Sequence, residues 1–362
     1  MGLTADGLSE RLVRKNDTFL PNLDLVRCVA ISLVVADHTL LAFNRQTVFG
    51  WNSAFLGNLG VWMFFVHTAT VLMWSLERKP FTLDFYIRRI FRIYPLALAA
   101  IAVALMTHAP LMGSVQHFFG YRRTSPGNLI ATSLLAYNLF PAHLQYHQIV
   151  NVMWTLPLEV DMYLVLPVLF AFVTRERKLW PLLLLWGLAV ANAKLYFATE
   201  LNLSSAAPDF LAGVMAYVGF KQFKARLPAW LFPAFLAALI CITMRLPRLE
   251  FAWPYTLALG LALPHFLQFT PSRFTLVCNR FARYSYGVYL VHPFALVLGV
   301  YCLPGRSAYL QLGVEVLVIS IGSVASYHLL EKPMINVGSR LAAVLERGAL
   351  GQGIDSPLEP AL

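Results

Sequence analysis

Long apolar stretches constrain this chain more than any other feature. A helix that crosses a bilayer needs about 20 mostly apolar residues, because each residue rises 1.5 Å through a hydrocarbon layer about 30 Å thick. Such stretches recur at roughly 25–43, 55–76, 93–112, 154–173, 180–198, 206–220, 229–245, 252–270, 284–303 and 309–330. They fill most of the 362 residues, and no polar stretch between them is long enough to fold alone. With 58% hydrophobic and 13% charged residues, the chain is far more apolar than a soluble domain, where about 25% of residues are charged. Backbone polar groups in lipid must be satisfied internally. The pattern therefore predicts an all-α fold, a polytopic transmembrane helix bundle of about ten spans. Residues 128–142, NLIATSLLAYNLFPA, are apolar but short. Counting them as a crossing would put Arg175, Arg177 and Lys178 outside, so they are predicted to be re-entrant or interfacial.

The net charge is +10 and the sequence pI about 9.6. In a soluble protein that balance would raise nucleic acid as a partner. Here the bases sit in short loops between apolar runs and form no continuous patch, so the expected partner is the lipid bilayer and not nucleic acid. Clusters at Arg11–Lys15, Arg78–Arg92, Arg175–Lys178, Lys221–Arg226, Arg273–Arg283 and Lys332–Arg340 mark every second loop. By the positive-inside rule both termini are expected in the cytoplasm and the protein in the plasma (inner) membrane. The division predicted is an N-terminal segment over 1–22, a membrane domain over 23–335 and a disordered C-terminal tail over 336–362. The first 22 residues have no apolar core, so no cleavable signal peptide is expected. Cys28, Cys241, Cys278 and Cys302 show no CxxC spacing, and neither a zinc site nor a redox pair is signalled.

Ionisable side chains inside spans are costly and mark function. The first span, LDLVRCVAISLVVADHTLLAF, holds Asp24, Arg27, Asp37 and His38. Arg27 and His38 are 11 positions apart, so they lie within about 20° of one face and about 16 Å apart along the axis. They line one wall at two depths and cannot touch. Asp24, one turn before Arg27, is placed to neutralise it. Before the third span, YIRRIFRIYP carries Arg88, Arg89 and Arg92 at helical spacing; the arginine fork suits phosphate, and the same residues also suit a positive-inside anchor. In WTLPLEVDMYLVLP, Glu159 and Tyr163 are four apart and share a face, while Asp161 points elsewhere. Trp154 and Tyr163 also suit an aromatic belt. In ARYSYGVYLVHPF, His292 precedes Pro293, which frees a backbone carbonyl and admits polar groups. Glu331–Lys332–Pro333 reads as a helix stop. His143 and His147 have ligand spacing but no companion glutamate, so no metal is expected.

Taken in order, these segments resemble the membrane acyltransferase family 3, from about Leu23 to Pro333. The resemblance rests on Arg27 and His38, GVWMFFV at 60–66, RRIFRIYP at 88–95, WTLPLEVDMY at 154–163, YSYGVYLVH at 284–292 and the closing EKP. This chain carries His67–Thr68 where the family usually continues with a Ser-Gly pair, and Pro157 where the family is usually more polar. The chain looks like the form without a C-terminal esterase-like domain. The resemblance implies O-acylation: transfer of an acyl group, acetyl first, from cytoplasmic acyl-CoA to a hydroxyl of a carbohydrate or lipid-linked glycan. On that reading His38 is the general base, and Arg27, Glu159 and Tyr163 belong to the catalytic group. Arg88, Arg89, Arg92 and Arg27 hold the acyl-CoA, and Asp24, His292 and Trp154 are further candidates. Tyr163, His292 or a backbone N–H near 128–142 would stabilise the oxyanion. A proton-coupled transporter is the alternative that intramembrane Arg, His and Glu also allow, but carriers of that kind carry internal repeats and none is visible here.

Overall fold

In the computed structural model, residues 20–79, 82–107, 125–140, 149–176, 178–196, 203–246 and 253–352 are described. The elements are α1 (Pro21–Ala42), a two-residue hairpin β1 (Thr47–Val48) and β2 (Trp51–Asn52), α2 (Leu56–Arg78), α3 (Thr82–Thr107), α4 (Pro126–Ser133), α5 (Thr155–Glu176), α6 (Trp180–Tyr196), α7 (Leu203–Gln222), α8 (Leu231–Arg245), α9 (Trp253–Ala262), α10 (Arg273–Leu296), α11 (Ala308–Ser326) and α12 (Lys332–Gln352). The fold is all-α apart from the hairpin, whose Phe49–Gly50 turn has positive φ at both residues and whose Trp51 lies 4.1 Å under the Arg245 guanidinium.

Helix boundaries follow local chemistry. Proline opens α1 and α4, where its missing N–H would have had no partner anyway. Ser125 caps α4 by accepting the Asn128 amide at 3.1 Å. Ser272 and Thr275 form a capping box at the head of α10, and Ser307 caps α11.

Each of the ten predicted apolar segments carries a helix. Among the described residues, however, six helices are both long and apolar enough to cross a membrane, at Pro21–Ala42, Leu56–Arg78, Leu83–Thr107, Asn151–Arg175, Leu203–Gln222 and Ala308–Arg347. The expected count of about ten is not reached by these criteria among the described residues. α6 has 17 residues, at the lower limit for a crossing, α8 has 15 and α9 has ten. Arg273, Arg280 and Arg283 load the first half of α10 with charge. The 128–142 segment holds the eight-residue α4 and a short 3-10 turn at Tyr137–Leu139; at 1.5 Å per residue neither can cross.

The predicted helix stop at Glu331–Pro333 is also corrected. A π-helical turn, Tyr327–Glu331, joins α11 to α12, with the Lys332 amide reaching back to the Tyr327 carbonyl. This wider turn lets the chain pass through Pro333 without ending, so residues 336–352, expected to be a tail, are helical. A second π turn, Val297–Tyr301, follows Pro293 in α10. The basic cluster Arg11–Lys15, the pair His143 and His147, and residues 353–362 lie outside the described residues.

Small residues bring the central helices together, as membrane packing requires. A Cβ on Gly60 of α2 would fall on the Ala30 carbonyl oxygen of α1, and one on Gly213 of α7 would fall on the Val66 carbonyl oxygen of α2. At the second crossing the Thr70 hydroxyl sits 2.8 Å from the Val66 oxygen and 2.9 Å from the Gly213 oxygen. The core runs through α1, α2, α5, α7 and α10, with Val66, Ala69, Met73, Phe210, Met215 and Leu296 wholly or almost wholly buried.

Candidate active site

α1, α2, α3, α5 and α10 converge on one cavity of about 950 Å³ of empty space, its open mouth included. Arg27 comes from α1; Val61, Phe64, Phe65, His67, Thr68, Val71 and Leu72 from α2; and Arg89, Arg92 and Ile93 from α3. Thr155, Leu156, Glu159 and Tyr163 come from α5, and Ser285, Tyr286 and Tyr289 from α10. Thus four segments that stand apart in sequence supply most of the polar wall, and a mainly apolar stripe of α2, interrupted by His67 and Thr68, closes it.

The wall is positively charged. Three guanidiniums, Arg27, Arg89 and Arg92, face one carboxylate, Glu159. That carboxylate accepts the Tyr163 hydroxyl at 2.9 Å, the contact that i, i+4 spacing on α5 allows. Among the described residues, Arg27 and Arg92 make no hydrogen bond and no ion pair. Arg89 reaches the Ser75 hydroxyl at 3.4 Å, its Nε is buried without a partner, and its guanidinium lies 5.7 Å from the Phe85 ring centre. Three guanidiniums against one lining carboxylate leave the wall with net positive charge, an arrangement that suits an anion.

The arginine run divides. Arg89 and Arg92 line the cavity, whereas Arg88, four residues from Arg92 and near it in helical phase, is held elsewhere by its partners. Its guanidinium binds Asp84 through two contacts, 2.7 and 2.8 Å, and Ser339 of α12 at 2.9 Å. Arg88 therefore ties α3 to α12 and does not line the cavity. At the same junction a Cβ on Gly338 would lie 2.5 Å from Phe91 Cβ, so glycine is what lets α12 lie against α3.

Asp24 makes no hydrogen bond or close ion pair with Arg27, although the two charges attract as expected from their spacing; its Oδ2 accepts from Asn279 of α10 at 3.0 Å, and α1 is tied again to α10 through the Cys28 thiol and the Cys278 carbonyl. Asp161 points away from Glu159, accepting from Asn138 at 2.7 Å. Trp154 ends the 3-10 turn ahead of α5 and is not on the wall. His38 is not on the cavity wall either; it meets His292 of α10, with Nδ1 of the first 2.8 Å from Nε2 of the second. Tyr289 links the two regions. It lines the cavity, its ring centre is 6.0 Å from that of His292, and its hydroxyl contacts Thr155 and donates to the Val152 carbonyl.

His67, Tyr286, Tyr289 and Thr155 were not singled out as site residues from sequence. The tyrosines carried a readable signal: 285, 286, 289 and 292 recur at three- and four-residue spacing on one half of α10. Tyr286 is further fixed by donating to the Ile93 carbonyl at 2.7 Å, two residues before Pro95 of α3. Residues 20–327 match the family model described as an acyltransferase domain. No curated protein and no solved structure matches the chain.

Proposed function

The chain belongs to the acyltransferase family whose domain spans its residues 20–327, and from that premise we propose that it is an integral-membrane O-acyltransferase of the plasma (inner) membrane, with both termini cytoplasmic. It moves an acyl group, acetyl as the first choice, from cytoplasmic acyl-CoA to a hydroxyl of a carbohydrate or lipid-linked glycan. One observation carries the reading: the cavity turns three guanidiniums, Arg27, Arg89 and Arg92, toward a space with one carboxylate. Coenzyme A brings the complementary charge, a phosphorylated head on a thin arm that ends in a thioester.

Arg89 and Arg92, in the first half of α3, hold the phosphates, and Arg27 meets the phosphates or the upper arm. Glu159, fixed by Tyr163, keeps the field from being uniformly positive and orients the guanidiniums. The arm then runs along α1 toward His38, about 16 Å further along the helix axis. His38 takes the proton from the acceptor hydroxyl as its oxygen attacks the thioester carbon. A C–O bond forms, the C–S bond breaks, and the proton returns from His38 to the departing thiolate. General-base assistance of this kind contributes roughly 10²–10⁴ in rate.

Purified protein supplied with acetyl-CoA and a hydroxylated glycan acceptor tests the reading. Free thiol and an acceptor heavier by one acetyl group are expected together, and both should vanish in His38→Ala. Full transfer by a membrane-inserted His38→Ala protein would remove the base, and acceptor-independent thiol release with no mass change would remove the transfer.

A further inference from the structure

The two histidines carry an inference that rests on the reading of His38 as base: we infer that His292 is a positioning residue that fixes which nitrogen of His38 bears the proton. The nitrogens are 2.8 Å apart, while the ring centres are 5.1 Å apart and the planes 10° from parallel. Those lengths leave room for little more than the two ring radii along one line, so the rings meet edge to edge and share a proton in plane.

The direction of that hydrogen bond follows from the backbone. Nδ1 of His292 lies 3.2 Å from the Val288 carbonyl oxygen, and a carbonyl only accepts. A neutral imidazole has one N–H, so His292 carries its proton on Nδ1 and offers the lone pair of Nε2. Pro293 strengthens the arrangement: it has no N–H for the Tyr289 carbonyl, which leaves a second backbone acceptor beside the same ring. His38 must then donate through Nδ1–H. Its own lone pair is set on Nε2, the far side of the ring, where an incoming hydroxyl proton is taken. Once His38 is protonated, both its nitrogens donate, and His292 continues to accept at Nε2. His292 is fully buried, so water does not substitute for it.

His292→Leu fills the space and removes the acceptor, while His292→Gln keeps an oxygen that accepts from His38. With acetyl-CoA as donor, kcat in His292→Leu should fall by roughly 10²–10⁴, the range of a general base, with KM for acetyl-CoA unchanged. His292→Gln should recover at least about tenfold of that loss. Equal kcat in wild type and His292→Leu, alongside an inactive His38→Ala, would overturn the role of His292 alone. Activity in His38→Ala would instead overturn the reading it rests on. Should the leucine variant fail to fold, solid-state ¹⁵N spectra of histidine-labelled wild-type protein in lipid decide the matter without turnover. His38 protonated at Nδ1 and bare at Nε2 supports the inference, and the opposite tautomer overturns it.

Discussion

Truncating the cavity arginines separates recognition of phosphate from support of the fold. Arg27 and Arg92 bond to no described residue. Replacing either with alanine breaks no hydrogen bond; it relieves repulsion among three like charges but removes a cation that acts on Glu159 and Glu331, so the thermal midpoint in detergent should change little. A charge-assisted contact with phosphate contributes roughly 1.5–3 kcal/mol, which is about 10- to 150-fold in affinity. Arg92→Ala should raise KM for acetyl-CoA by a factor in that range with a small change in kcat. The assay is thiol release with two donors, acetyl-CoA and acetyl-pantetheine, the second keeping thioester and arm but no head-group phosphates. Wild-type protein should prefer acetyl-CoA strongly, and Arg27→Ala and Arg92→Ala should shrink that preference by the same factor that KM rises. If the variants slow both donors equally and the preference is untouched, the arginines do not read phosphate and the assignment of the donor site fails.

Arg88→Ala should behave in the opposite way. It strips Asp84, whose side chain is 2% exposed, of two hydrogen bonds, costing about 1–3 kcal/mol. The thermal midpoint should drop while the donor preference stays as in wild type. Tyr163→Phe leaves Glu159 without its hydroxyl donor; a similar loss of about 1–3 kcal/mol should appear in unfolding and a lower kcat in turnover. Gly213→Val puts side-chain atoms onto the Val66 carbonyl of α2, and size-exclusion chromatography should show aggregation. Gly313→Ala on α11 meets nothing within 4 Å and should elute as wild type does.

Much of the architecture was readable because lipid imposes a simple rule on segment length and polarity, and every apolar run named from sequence carries a helix. What the rule could not supply was where one helix ends and whether it is long enough. Pro333 looks like a terminator in sequence; only the wide turn before it, a property of three-dimensional hydrogen bonding, shows the helix passing through. At the site, i, i+4 spacing gave the Glu159–Tyr163 bond, but spacing alone groups Arg88 with Arg92 as readily as Arg89, and it took Asp84 and Ser339 to show Arg88 diverted. Pairing between helices was not legible. Asp24 stands one turn from Arg27 and their charges interact, yet its hydrogen bond goes to Asn279, 255 positions away. The meeting of His38 with His292 likewise depends on how α1 packs against α10. Local periodicity states which residues share a stripe and is silent about what that stripe faces.

The joined helix from Ala308 to Arg347 has 40 residues and so measures about 60 Å, twice the thickness of the hydrocarbon layer. Its first half, α11, packs against α10, and its second half, α12, is strapped to α3 at Ser339 and Gly338. The distance from the start of α11 to the α3 junction at Arg88 and Phe91 is therefore a matter of covalent length, set by one unbroken rod.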